Sequence, residues 1–408
     1  MTDEFLKSEE WQGFSVHLTT SREGGRELIA LGKRDVFFLP HTDPEALEHL
    51  DAWLKASAEW TFGILSYELH ACTEPSVAPH RLPASEPSLV FFHPQVVAEK
   101  EAGVWKIHFN TSSLSDDSLL QAIEVPGGEH IMPPVMLHGK VSREEYIRNV
   151  ESLQRHIRLG DIYEVNYCVP FSASCEVHRP YALWQKLVSR TQAPMSGYFR
   201  SGAHLLLCAS PERYLARRGN TVISQPIKGT IRRGATHEED EQLKEALLAS
   251  PKERSENVMI VDLVRNDLSR AALPGSVHVD ELFGIHTFNT VHHMISTVSA
   301  EVHAETSFAE LLRNTFPMGS MTGAPKVEAM KLIRGHEPAG RGWYSGALGY
   351  IRPNGDFDFN VIIRSLSVNT NAHTVRCSVG SAITVHADPE KEYDECLLKL
   401  QAIQGVLS

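Results

Sequence analysis

The sequence has no surplus of positive charge. Its 39 Lys and Arg stand against 51 Asp and Glu, a formal net charge of −12. A chain that grips nucleic acid or an anionic membrane regardless of sequence needs clustered cations, so neither partner is expected. No long apolar run exists either. The best, Val258 to Val264, is seven residues with Asp262 inside it, far short of the roughly 18 to 20 that span a bilayer. The first twenty residues carry acids and no apolar core, so a secretory signal is not expected. The six cysteines (72, 168, 175, 208, 377, 396) form no C-x-x-C pair and show no zinc-site or disulfide-framework spacing. A reducing cytoplasmic location follows as the expectation. There is no fixed-period repeat and no low-complexity tract. Motifs of the form H-E-x-x-H, G-x-x-x-x-G-K-[ST] and G-x-S-x-G are missing as well, which removes zincin, P-loop and serine-hydrolase readings.

What is present is ample material for a core. The chain has 408 residues, 42% of them hydrophobic, enough for two or three units or one large elaborated fold without disulfide staples. The clearest soft boundary is Val125 to Pro134, with two glycines and three prolines. Residues 1–134 and 135–408 are therefore read as two regions. In the first, Asp35–Leu39 and Trp60–Tyr67 alternate like strands around one helix over Asp43–Leu54. In the second, long helices alternate with strand hairpins.

Local signals in the second region bear on chemistry. Ser142 and Glu145 have capping-box spacing, the apolar positions Tyr146, Val150, Leu153 and Ile157 follow at helical intervals, and Gly160 stops the helix. Asp161 to Val169 then reads as a strand. Residues 204–230 read as strands folded back at Gly219-Asn220. That register makes Glu212 and Lys228 neighbours on opposite faces. Pro226 cannot donate to a ladder, and a slip there is expected to bring both side chains to one side. The run Phe316–Lys326 reads as a glycine loop entering a helix, with Pro325 in its first turn and backbone N–H groups suited to an anion. A second hairpin across Asn354-Gly355 sets Tyr344 beside Arg364.

Two helices each carry glutamates three apart, Glu253 with Glu256 and Glu392 with Glu395. Such pairs share a helix face and could present oxygens to one hard cation. The same spacing is common on solvated faces, and Glu253 also completes a capping box with Ser250. Glu256 is harder to dismiss, because the helix after it is apolar on nearly every side and must be buried. Lys228 reads locally as an ordinary solvated lysine; as a nucleophile it would have to be neutral. His292 and His293 are adjacent on a strand, so at most one faces any site.

Eight segments, in order, resemble the chorismate-utilising enzymes: Gly160–Asn166, Ser210–Arg213, Pro226–Thr230, Glu256–Asp267, Phe316–Lys326, Arg341–Gly346, Ile363–Ser365 and Asp388–Glu395. The resemblance covers about residues 140 to 404. It implies an α+β fold in which two large, mainly antiparallel sheets pack as a sandwich core with flanking helices. Residues 1–134 would supply strands to that same body. It also implies chorismate as substrate and Mg²⁺ as cofactor, with Glu256 and Glu395 holding the ion and Glu253 and Glu392 supporting it. Arg364 and Tyr344 would clamp the enolpyruvyl carboxylate, a planar anion suited to a guanidinium fork. Thr230 would join them in binding substrate, and the Thr322-Gly323-Ala324 backbone would add N–H donors. Glu212 would protonate the departing hydroxyl, and His293 would sit near the ring.

Lys228 decides the branch. Anthranilate synthases carry alanine there and aminodeoxychorismate synthases carry lysine, so the resemblance implies attack by Lys228 at ring carbon 2, then amination at carbon 4 toward p-aminobenzoate and folate. Glu164 stands where many relatives have glutamine and where isochorismate-forming ones have a lysine that activates water. Ala382 replaces a common glycine. No cysteine has the amidotransferase setting G-x-C-x-G, so a separate glutamine amidotransferase subunit would supply ammonia and a separate lyase would finish p-aminobenzoate. The nearest rival reading is anthranilate synthase component I. A rival of another class is a non-catalytic chorismate-binding regulatory subunit.

Overall fold

A computed structural model describes residues 1–20, 25–80, 86–128 and 133–407. Part of the soft boundary, residues 129–132, lies outside the described residues. Seven elements position the site: β1 (Glu164–Ser174), β2 (Arg213–Arg218), β3 (Thr221–Gln225), β4 (Ile227–Arg232), α1 (Pro251–Ser269), β5 (Val291–Glu301) and α2 (Pro389–Gln404).

Among the described residues two antiparallel sheets form the α+β body, one of eleven strands and one of ten, as the family resemblance implies. The first sheet runs from the short strand Gly323–Ala324 through β1 to Val104–Asn110; the second runs from β4 through β5, β3 and β2 to Asp35–Leu39. Strands from before residue 134 are built into both. Phe14–Thr20 pairs with Met195–Ser201 in the first sheet, and Thr61–Leu65 pairs with Ala347–Ile351 in the second.

The inner faces meet through Phe62, Phe92, Phe199, Leu206, Trp343 and Leu348. Each such side chain removed from water contributes about 1.5 to 3 kcal/mol. Helices cover the outer faces. Tyr146, Leu153, Trp184 and Leu187 pack on the first sheet, and Ile260, Val264, Phe308 and Leu312 on the second. Central strands such as Thr61–Leu65 are consequently buried along their whole length, because both faces are covered.

The cap signals behave as their chemistry requires. Ser142 accepts a hydrogen bond from the Glu145 amide, and the helix Arg143–Leu159 ends at Gly160 with φ 84°. Ser250 caps α1 through the Glu253 amide, and Asp388 caps α2 with Pro389 in the first turn. Pro325 sits one place earlier than expected, as the N-cap of the helix Lys326–His336.

The hairpin at Gly219-Asn220 has the expected register near its turn, with Arg218 opposite Thr221 and Ala216 opposite Ile223. The expected slip is relocated. Arg213 pairs with Gln225, which leaves one extra residue on β2. A second irregularity lies on β4, where Ile227 faces Ile295 but Thr230 faces His293, so Lys228 and Gly229 together oppose a single residue. Pro226 itself interrupts nothing on β5, since its carbonyl accepts the Ser296 amide. The neighbour of β4 is β5 and not β2, so Glu212 and Lys228 are not partners on adjacent strands.

Candidate functional site

The site forms where the terminal strands of the two sheets meet. Lys228 lies in the β4 irregularity beside Gly229, whose φ of 85° is a conformation that glycine adopts without strain. An added residue of this kind re-aims a side chain. Here the aim is inward: Lys228 Nζ donates to Glu164 Oε1 of the opposite sheet at 2.5 Å and lies 4.0 Å from Glu256 Oε2 of α1. Glu164 is held by close backbone passage. Gly323 and Ala324 pair with Val165 and Glu164, and a Cβ on Gly323 would stand 2.1 Å from the Glu164 carbonyl oxygen.

The electrostatics of Lys228 correct a sequence expectation. Burial alone lowers its pKa, but the carboxylates of Glu164, Glu256 and Glu212 outweigh burial and raise it. The amine rests as an ammonium in a carboxylate nest instead of standing neutral. Glu256 is pushed up to about 7, mainly by burial, with Lys228 opposing and Glu164 adding to the rise. Two carboxylate oxygens beside this lysine, Glu164 Oε2 and Glu256 Oε1, are buried without a hydrogen-bond partner, as is Asn257 Nδ2. Buried polar atoms are normally paired, so such a grouping marks capacity for something else.

Glu212 is buried at the mouth of β2, its amide bonded to Ser210 Oγ and its carbonyl to the Val361 amide. Ser320 Oγ donates to its carboxylate at 2.7 Å. His293 Nδ1 and Thr230 Oγ1 are 2.8 Å apart. His292 points elsewhere and is fully buried, its Nε2 2.8 Å from Asp240. The second hairpin keeps one register from Ile351 opposite Phe357 through Ala347 opposite Val361; beyond it Ser345, with φ 64°, leaves the strand conformation, and Tyr344 lies near enough to Arg364 to interact electrostatically. Arg364 has φ 52°. Its pKa is lowered by burial, with Tyr344 and Glu395 as the largest counterweights.

One expected donor is already used. The Thr322 amide bonds the Gly319 carbonyl, and the Thr322 and Ala324 carbonyls accept from Asn166 and Tyr163. Thr322 therefore cannot offer an anion its N–H, and the segment's visible task is to fix β1.

The four glutamates gather loosely. Lys252 Nζ stands 3.9 Å from Glu256 Oε1 and 3.9 Å from Glu392 Oε1, bridging α1 and α2. Glu392 is buried, and its pKa is raised by burial and then by Glu395. Glu395 has a side chain 47% exposed and bonded to Lys399 at 2.7 Å. Glu253 is half-buried. Among the described residues no three His, Cys, Asp or Glu side chains are gathered closely enough to hold a metal by themselves. An all-carboxylate set with an orphaned buried oxygen nevertheless suits Mg²⁺, which takes one or two protein carboxylates and fills its shell with water and substrate.

Sequence reasoning left the role of Glu164 open and missed Ser320, Lys252 and Asn257. Ser320 lies inside the Phe316–Lys326 loop, and Lys252 is four residues before Glu256, so both stood within motifs already singled out.

Comparison with known proteins bears on this arrangement. Over 264 residues, 64% of this chain, it is 41% identical to the chloroplastic aminodeoxychorismate synthase of Arabidopsis thaliana, covering 28% of that protein. Over 263 residues it is 40% identical to aminodeoxychorismate synthase component 1 of Klebsiella aerogenes, covering 64% of this chain and 58% of that one. The matches thus span less than two-thirds of either relative. Anthranilate synthase component I from Streptococcus pneumoniae TIGR4 superposes with a TM-score of 0.81 at 22% identity, covering 93% and 92% of the two chains. The menaquinone-specific isochorismate synthase MenF from Escherichia coli gives 0.76 at 20% identity, covering 98% and 91%. These two likenesses establish the shared sandwich. The family model for chorismate binding enzyme matches residues 18–405, and the chain belongs to that family.

Proposed function

We propose that this chain converts chorismate and ammonia to 4-amino-4-deoxychorismate, with Lys228 as covalent nucleophile. The observation that carries the reading is a buried lysine, re-aimed by a β irregularity and hydrogen-bonded at 2.5 Å to a carboxylate with one oxygen unused. Such a lysine is excess to chorismate binding alone. The relatives named above as aminodeoxychorismate synthases support the same branch.

The steps follow from the side chains. Lys228 donates a hydrogen bond to Glu164 from its ammonium, and attack requires that proton to pass to the carboxylate. The freed amine forms a bond to ring carbon 2, both ring double bonds shift (to carbons 1–6 and 4–5), and the carbon 4–oxygen bond breaks. Glu212, steadied by Ser320, gives the departing hydroxyl its proton, so water leaves. Ammonia then bonds to carbon 4, both double bonds return to their original places, and the carbon 2–nitrogen bond breaks to restore Lys228. One difficult substitution becomes two easier ones. Arg364 and Tyr344 receive the enolpyruvyl carboxylate, with the Thr230–His293 pair beside the ring. The resemblance implies Glu256 and Glu395 as the Mg²⁺ ligands, but Glu395 is engaged by Lys399 whereas Glu392 is buried and faces Lys252, so Glu256 and Glu392 would hold the ion with Glu395 and Glu253 behind them. Bound there, the ion would neutralise the ring carboxylate and draw electron density as the ring is attacked.

Ammonia would come from a separate glutamine amidotransferase, in keeping with the "component 1" of the Klebsiella relative's name. A separate lyase would release p-aminobenzoate for folate synthesis. We place the reaction in the cytoplasm; no described helix is long and apolar enough to cross a membrane. The test is incubation with chorismate, Mg²⁺ and ammonium salt, with and without an added aminodeoxychorismate lyase. The expected result is p-aminobenzoate only when lyase is present. Anthranilate without lyase would assign the chain to the rival branch, and bound but unconverted chorismate would make it a regulatory subunit.

A further inference from the structure

Lys252 occupies a position that the reaction above does not use. It sits in the first turn of α1 with a side chain 58% exposed, yet its ammonium reaches back between two buried carboxylates, 3.9 Å from Glu256 Oε1 and 3.9 Å from Glu392 Oε1. Both contacts are longer than a hydrogen bond. The ammonium therefore neutralises the two glutamates without capping their lone pairs, and Glu256 Oε1 stays buried without a hydrogen-bond partner. Lys399 behaves differently, since it bonds Glu395 directly at 2.7 Å. We infer that Lys252 is a tethered stand-in for the divalent cation: it balances the Glu256–Glu392 pair when no ion is present and must swing out when one binds.

The inference rests on the Mg²⁺ reading given above and deepens it. Without a cation, the N-terminal turns of α1 and α2 would face each other with Glu253, Glu256, Glu392 and Glu395, which repel one another, and Glu256 and Glu392 lie in surroundings poor in water. A lysine supplies the missing charge. Its four-carbon stem is flexible and its head strongly hydrated, so release to solvent meets little resistance. A divalent ion then exchanges for a monovalent one at the same oxygens, and wild-type affinity is the affinity of that exchange. Removing the stand-in should strengthen ion binding and weaken the ion-free protein.

The experiment measures Mg²⁺ binding to the full chain by calorimetry and Mn²⁺ binding by electron paramagnetic resonance, in wild type, Lys252→Gln and Lys252→Arg. Thermal unfolding is recorded with and without Mg²⁺. Lys252→Gln is expected to bind either ion about tenfold more tightly or better, by removal of one like charge at close range. Its ion-free form should unfold at lower temperature and gain more from added Mg²⁺ than wild type does. Lys252→Arg keeps the charge and should resemble wild type, which separates charge from loss of the side-chain stem. Equal affinities in wild type and Lys252→Gln, or weaker binding in Lys252→Gln, overturn the stand-in and leave the Mg²⁺ reading intact. No binding of either ion to any of the three proteins overturns both.

Discussion

Two buried charge clusters lie within a few residues of each other on β1, and they are built on opposite principles. Arg341 uses all five of its N–H donors. Two go to Glu337, at 2.9 and 2.7 Å, and the others to the Met321 carbonyl, Ser345 Oγ and the Asn166 carbonyl. Glu337 also accepts the Cys168 amide, and the Tyr67 ring lies 4.4 Å from the guanidinium. Nothing is left over. In the Lys228 cluster Lys228 donates to Glu164 and Ser296 donates to Asn257 Oδ1, while Glu164 Oε2, Glu256 Oε1 and Asn257 Nδ2 are left unpaired. A saturated ionic cluster fixes geometry, whereas an unsaturated one keeps capacity for a ligand. The first serves the second here, because Arg341 pins the loop ending at Gly323 to the strand that carries Glu164.

The sharpest way to break this contrast is to delete each centre and compare what fails. Lys228→Ala should lower amination of chorismate by about a thousandfold or more, about 4 kcal/mol of transition-state stabilisation. Some turnover could divert toward anthranilate. The fold should survive with a small change in unfolding midpoint, since Glu256, already near 7, can shed its charge by taking a proton. Unchanged aminodeoxychorismate formation in this variant would sink the covalent route. Arg341→Ala should do the reverse, costing about 3 to 5 kcal/mol of stability by stranding Glu337 without its partner. Urea unfolding followed by tryptophan fluorescence measures it. A loss below about 1 kcal/mol would show that Arg341 is not the structural centre claimed for it.

Ser320 offers a finer test on the functional side. Its hydroxyl holds Glu212 at 2.7 Å, and a hydrogen bond to such a group is worth about 1.5 kcal/mol, near a tenfold effect. Ser320→Ala should therefore lower kcat about tenfold with little change in KM for chorismate, and Ser320→Thr should restore most of it. A KM effect without a kcat effect would move Ser320 from positioning the acid to binding substrate.

Much of the frame was legible because it rests on local rules. The Ser142 cap and Gly160 stop, the Gly219-Asn220 turn and the hairpin across Asn354-Gly355 each need only a few neighbouring residues to be read. The site was less legible because its contacts are long-range. Lys228 and Glu164 are 64 positions apart and belong to different sheets; Ser320 and Glu212 are 108 apart. The relocated slip has the same origin. Proline's missing donor was a local reason to place it at Pro226, but Arg213 is drawn into a bidentate bond with buried Asp358 at 2.9 Å, and Gly229 tolerates the turn that aims Lys228. Charge state was beyond any local reading. A lysine's pKa depends on which carboxylates fold against it, and three did.

The smallest expected change comes from Glu164→Gln, and it separates the two things Glu164 does. Its carboxylate raises the pKa of Lys228, which reduces the fraction of free amine, and it also receives the proton that attack requires. Glutamine keeps an oxygen for the hydrogen bond but removes both the charge and the acceptor. The losses oppose each other, so turnover near neutral pH should change by less than about tenfold. The pH profile should change more. The reactive form is the neutral amine, so activity rises as pH passes through the Lys228 pKa. Removing a carboxylate that raises that pKa must move the rise to lower pH. Measured kcat/KM against pH for wild type and Glu164→Gln decides the matter. A rising limb that stays in place or moves upward would mean that Lys228 is not the group being titrated, and the unsaturated cluster would then need another nucleophile.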